Sequence, residues 1–143
     1  MSTPALTAYL TYGWERSDES KAPWEVGHFY RKFDGFPSTH VADLQRLTGR
    51  RKFGSLWELV RAVSQLDVTC QGANYNWSLM PVDPHTMDPL PEYTYYLSLV
   101  DRWGKIPQTY DGKYDVHLVV KLEDTVFYDG LLKDCDPDSF EEL

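Results

Sequence analysis

Apolar and polar positions change their period several times along the chain, and each change marks an element boundary. From Ala5 to Tyr12, Leu6, Ala8, Leu10 and Tyr12 alternate with Thr7, Tyr9 and Thr11, the period of two expected of a strand with bulk on both faces. Residues 13–24 show no period and include Asp18-Glu19-Ser20-Lys21-Ala22-Pro23, which reads as an exposed loop. Alternation resumes from about Glu25 to Phe33, with Gly27, Phe29, Arg31 and Phe33 on one face and Val26, His28, Tyr30 and Lys32 on the other. The two strands are expected to pair as an antiparallel hairpin.

The period then lengthens to that of a helix. Asp34-Gly35 ends the second strand, because glycine tolerates positive φ and aspartate can bond to nearby amides. Pro37 holds Phe36 extended and bars a central strand from continuing. Ser38 is the expected N-cap of a helix over residues 38–48, in which Val41, Leu44 and Leu47 form the apolar stripe and Gly49 is the stop. Ser55-Leu56-Trp57-Glu58 matches a capping box and opens a second helix, lined by Leu56, Leu59, Val60 and Val63 and ending near Leu66.

Beyond the helices the period of two returns. Tyr75–Leu79, Tyr93–Val100 and the alternation of Val116, Leu118, Val120 and Leu122 read as three antiparallel strands, with Asp111-Gly112 as the turn between the last two. Four prolines within Pro81–Pro91 make that stretch a surface loop. The pattern predicts an α+β fold: an antiparallel sheet of about five strands with two consecutive helices, in the order β-β-α-α-β-β-β, packed on one face. Residues 1–143 are expected to form a single domain with an acidic, loosely held tail at about 134–143.

Charge adds a polarity that hydropathy does not show. The net charge is −8; residues 1–71 carry 9 Lys/Arg against 8 Asp/Glu, and residues 72–143 carry 5 against 14. An acidic field of this kind repels a phosphate backbone and attracts a basic surface, so direct nucleic-acid binding is not expected and a basic protein partner is. Aromatic residues make up 15% of the chain, a share that suits an interface as well as a core. Two cysteines, Cys70 and Cys135, are too few for a disulfide framework and are expected to be free thiols. No run of about 18 apolar residues occurs, and no basic leader precedes an apolar stretch, so the expected setting is cytoplasmic, with no membrane contact.

Candidate chemistry is sparse. Asp34 reads as a turn residue rather than a catalyst, and the Asp83, His85 and Asp88 loop lacks the glycine and ligand rhythm of a calcium site. Neither thiol has an activating neighbourhood, since the carboxylates flanking Cys135 raise its pKa. No nucleophile elbow, P-loop, dinucleotide fingerprint or paired-cysteine zinc motif is present, so no catalytic residue, metal or cofactor is assigned and a non-enzyme is expected. Arg50, Arg51 and Lys52 form a basic corner beside the N-terminus of the second helix, a candidate anion site. Asp111, Asp115, Glu123, Asp124 and Asp129 are the candidate acidic contacts for a partner.

Tyr30, Asp34, Gly35, Phe36 and Pro37, after an aromatic strand and before a helix bearing Leu44, resemble the Tyr-x-x-x-Asp-Gly-Tyr-Pro motif of small phage and prophage proteins, with Phe36 in the place of the second Tyr. The resemblance implies a mobile-element source and, as setting, the cytoplasm of an infected or lysogenic bacterial host. With the charge polarity it implies an accessory protein that binds stoichiometrically to a host protein complex with a basic surface. An inhibitor of a host defence complex, in the manner of an anti-CRISPR protein, is the leading expectation. One alternative is a protein that sequesters a nucleotide or signalling molecule at Arg50, Arg51 and Lys52. Another is a metal-dependent hydrolase built on His28, Asp34 and His40. Edge pairing of Tyr93–Val100 would give a homodimer.

Overall fold

The computed structural model describes residues 4–11, 24–31, 35–69, 92–100 and 114–140. Among these residues five strands form one sheet: β1 (Ala5–Thr11), β2 (Trp24–Arg31), β3 (Tyr93–Val100), β4 (Asp115–Leu122) and β5 (Thr125–Leu131). Two helices, α1 (Pro37–Thr48) and α2 (Leu56–Thr69), lie between β2 and β3 in the chain, and two short 3-10 turns follow β5. The α+β class and the order β-β-α-α-β-β-β are as the periodicity predicts.

Spatial order in the sheet is β2-β1-β3-β4-β5. The sheet is mixed rather than wholly antiparallel, because β1 pairs parallel with β3 while β1·β2, β3·β4 and β4·β5 are antiparallel. The two helices carry the chain from β2 back across the sheet, and a crossover of that length permits a parallel neighbour that a tight turn does not. The second-half strand set also differs from expectation. Thr125–Leu131 is a strand, joined to β4 by the two-residue turn Glu123-Asp124, whereas Tyr75–Leu79, the Pro81–Pro91 loop and Asp111-Gly112 lie outside the described residues.

Ala5, Thr7 and Tyr9 of β1, Phe29 of β2 and Tyr93, Tyr95, Leu97 and Leu99 of β3 project to one side, and there Val41 and Leu44 of α1 and Leu59, Val60 and Val63 of α2 complete the core. Each fully buried side chain of this size contributes about 1.5–3 kcal/mol. Leu6, Ala8, His28, Tyr30, Ser98 and Val100 on the opposite face are buried too, so β1, the neighbour of both β2 and β3, is enclosed on both sides as its sequence suggests.

The strand-to-helix corner departs from the expected cap. Phe36 is the N-cap, extended at φ −64° and ψ 143°, and Pro37 is the first helical residue, so Ser38 lies inside the helix and makes no cap bond. Proline suits that position, since its missing N–H would lack a helical partner anyway and its ring presets φ. The Phe36 carbonyl accepts from the amides of Thr39 and His40 at 3.0 and 2.9 Å. Gly49 ends α1 at φ 61°, with its amide donating to the Gln45 carbonyl.

The acidic C-terminal segment is not a loose tail through residue 140. Leu132–Asp134 and Pro137–Phe140 form 3-10 turns, and Leu132, Cys135 and Phe140 are buried in the core. The Gln45 side-chain amide of α1 donates to the carbonyls of Leu132 and Cys135 at 2.9 and 2.6 Å. Apolar anchors at 132, 135 and 140 set between carboxylates explain the docking. Among the described residues, no helix is long and apolar enough to cross a membrane.

Candidate functional site

Three regions hold the residues with chemistry: the corner between β2 and α1, the basic corner between the helices, and the acidic edge of the sheet. At the first, Phe36 packs edge-on to Tyr93 with ring centroids 5.7 Å apart, and the Tyr95 hydroxyl donates to the Gly35 carbonyl. Tyr30 is buried on the opposite sheet face. Gly35, Phe36 and Pro37 thus pin the corner onto β3, while Asp34 lies outside the described residues.

Behind this corner runs a buried polar chain that sequence reasoning did not single out. His40 Nδ1 accepts from the Arg31 guanidinium at 3.1 Å, so the neutral ring carries its proton on Nε2, which donates to Thr7 Oγ1 at 2.7 Å. Arg31 also donates to Asp43 at 2.8 Å. Burial, together with the Arg31 charge, pushes the His40 pKa down to about 3. The Tyr95 ring lies 4.2 Å from the imidazole, and burial raises the Tyr95 pKa far above its ordinary range. A core satisfied in this way fixes α1 on β1 and β2. Its signal in the sequence was slight: His40 continues the α1 stripe, and Arg31 shares the face of Phe29.

The structure does not bring together the two histidines of the metal-hydrolase alternative. Phe29 faces His40, with ring centroids 6.2 Å apart, and His28, its neighbour in a regular stretch of β2, therefore points to the other face. The sheet separates the two imidazoles. His28 is itself buried, with its pKa lowered by burial and no hydrogen-bond partner at Nδ1. Among the described residues, no group of three or more His, Cys, Asp or Glu could hold a metal. Cys70, Asp83, His85 and Asp88 lie outside them. Cys135 is a free, buried thiol whose pKa is raised to about 11, by burial first and Asp136 second.

The basic corner is dispersed by its own contacts. Phe53, in the link between the helices, pairs with Tyr114 through amide–carbonyl bonds of 2.8 and 3.0 Å, which tie the link to the start of β4. Arg51 turns back to donate to the Thr48 and Leu47 carbonyls at 3.1 and 2.9 Å, satisfying the C-terminus of α1, and its guanidinium lies 5.1 Å from the Phe53 ring centroid. Lys52 pairs with Asp115 at 3.0 Å. Arg50 is exposed. Arg51, Lys52, Phe53, Glu58, Arg61 and Ala62 line an open depression of about 380 Å³, so a carboxylate shares the wall with the cations. Ser55 caps α2 by accepting from the Glu58 amide at 3.3 Å, while Glu58 accepts from the Gly54 amide, one residue earlier than the expected box.

The five acidic candidates separate into three situations. Asp115 is not a surface contact: it is 6% exposed and held between Lys52 at 3.0 Å and Lys133 at 3.4 Å. Its charge made it a candidate contact, but the Phe53–Tyr114 bridge and the 3-10 turn after β5 close over it. Asp129 is exposed on β5 and accepts from His117 Nε2 at 2.8 Å. Glu123 and Asp124 are exposed at the tip of the β4–β5 turn, and Asp111 lies outside the described residues. Asp134, Asp136 and Asp138 add exposed carboxylates beyond the end of β5, with Asp136 also accepting from the Asp138 amide at 3.0 Å. The exposed acidity therefore lies at one point on the last strand, Asp129, and past both its ends.

Glu123 has φ 54°, the one positive-φ residue other than glycine among the described residues. At the first position of a two-residue hairpin turn, that conformation favours glycine. A carboxylate occupies a place where glycine would relieve strain.

No family model matches the chain, and neither the curated proteins nor the solved structures provide a match.

Proposed function

We propose that this protein acts by stoichiometric binding to a basic, nucleic-acid-handling protein complex, and that a host defence complex such as a CRISPR effector is the target. The observation that carries the reading is the exposed acidic margin of the sheet, where Glu123, Asp124 and Asp129 stand on β5 and its turn. Carboxylates on an exposed strand and its turn can occupy the Lys/Arg surface that otherwise holds phosphates and can speed encounter through long-range attraction. The phage-type resemblance of the Tyr30–Pro37 segment supports the same setting.

The test uses purified defence effector complexes, with and without their nucleic acid, in native electrophoresis and light scattering. A discrete complex that excludes nucleic acid, weakens as salt is raised and is lost in the E123K/D124K/D129K variant is expected. Complex formation indifferent to salt and to these reversals would remove the electrostatic reading.

The depression at Arg51, Lys52 and Arg61 supports a second reading, in which a nucleotide phosphate binds there. It receives less support, because Arg51 and Lys52 already hold protein partners and Glu58 opposes an anion. Calorimetry with a nucleotide panel separates the two, since only this reading expects tight binding without a protein.

A further inference from the structure

Among the described residues the sheet has two outermost strands, and they differ. On β2, Gly27 to Tyr30 are all buried. On β5, Thr125, Val126 and Asp129 are exposed and the remaining residues only partly buried, with Val126 at 51%. An outermost strand directs half of its amides and carbonyls away from the sheet, and proteins ordinarily blunt such an edge with lysine, proline or a bulge. Neither lysine nor proline occurs in β5. A register shift opposite Val120/Lys121 leaves Phe127 as an extra residue, so the strand kinks once at its centre. Tyr128 then folds over Gly130, where an added Cβ would meet its hydroxyl at 2.9 Å, and donates to the Leu131 carbonyl at 2.6 Å.

From this we infer that the outer edge of β5 accepts an extended, Lys/Arg-bearing segment of the partner as a sixth strand. The inference rests on the partner-binding reading above and adds the mode of docking. Main-chain pairing on either side of the Phe127 bulge, at Thr125-Val126 and at Tyr128–Gly130, supplies the geometry, and Val126 an apolar contact. Charge identifies the occupant. Between residues 123 and 134 the chain has four carboxylates, Glu123, Asp124, Asp129 and Asp134, against the single Lys133, which is held by Asp115. A second copy paired antiparallel over Thr125–Leu131 would bring the Glu123-Asp124 turn beside the Asp134 end of the other copy, where Lys133 is already held by Asp115, so like charges oppose self-pairing. A basic strand meets opposite charge at both ends. The edge-paired dimer expected of Tyr93–Val100 is excluded separately, because β3 has β1 on one side and β4 on the other.

The experiment uses two fluorescein-labelled heptapeptides of equal charge, Lys-Thr-Val-Lys-Thr-Val-Lys and Lys-Pro-Val-Lys-Pro-Val-Lys, titrated at low salt and followed by anisotropy and by amide hydrogen exchange. The first can pair as a strand; the prolines of the second remove donors and prevent it. The main-chain bonds give the first peptide roughly tenfold or greater preference, with new protection confined to amides of residues 125–131. The E123K/D124K variant, its fold checked by circular dichroism, is expected to weaken both peptides. Equal affinity for both would overturn strand pairing and leave acidic docking standing. No binding of either at low salt would overturn both. A dimer in sedimentation that disappears in Val126→Lys would overturn the assignment of the occupant.

Discussion

At the scale of single residues, environment decides what a titratable group does. His40 and Asp115 are both charge-capable and both buried, but His40 is kept neutral between one donor and one acceptor, whereas Asp115 lies between two lysines. The consequence for His40 can be measured. Its folded pKa of about 3 lies below the unfolded 6.5, so the unfolded chain binds the proton first as pH falls. The stabilisation is complete above pH 6.5 and is lost progressively as pH falls toward about 3, at up to about 1.4 kcal/mol per pH unit. The lowered pKa of His28 acts in the same direction. Urea denaturation of the protein and of His40→Gln across that range should give a shallower pH slope for the variant. Equal slopes would mean that His40 is already protonated in the folded protein.

At the scale of elements, turns and caps carry more information than strand interiors. The β4–β5 hairpin is closed by a glutamate at positive φ, a conformation that costs an L-residue roughly 1–2 kcal/mol relative to its ordinary regions. Glu123→Gly is expected to raise stability by about 0.5–1 kcal/mol, the strain relief being partly offset by the greater freedom of glycine in the unfolded chain. The same change should weaken partner binding, because it removes a carboxylate from the acidic edge. A variant more stable in thermal melts but weaker in binding would show stability and function opposed at one residue. A destabilised Glu123→Gly would contradict the turn geometry.

At the scale of the whole molecule, the C-terminal segment joins the helices to the sheet. Phe140 is 3% exposed, and Leu132 and Cys135 are buried in the same core. Phe140→Ala should therefore cost about 3–5 kcal/mol, the usual range for truncating a buried phenylalanine. A thiol whose pKa is raised to about 11 should also alkylate slowly at pH 8 and quicken when the segment is loosened. Iodoacetamide labelling of a Cys70→Ser protein with and without Phe140→Ala reads that opening directly. Fast labelling of Cys135 with Phe140 intact would show that the segment is not docked.

Local period and turn chemistry, read from the sequence alone, determined the helices, four of the strands, the corner at Gly35-Phe36-Pro37 and the polarity of charge, because those depend on residues within a few positions of one another. Even the error at Ser38 is local, since Pro37 can start a helix without a side-chain cap. Thr125-Val126-Phe127-Tyr128 carried a strand signal that went unread beside the acidic residues around it. Tertiary structure alone decided that β1 and β3 run parallel, that His28 and His40 lie on opposite faces, that Asp115 is enclosed and that β5 is the exposed edge. Each of those outcomes depends on which distant segments pack together, and packing across dozens of residues leaves no period in the chain.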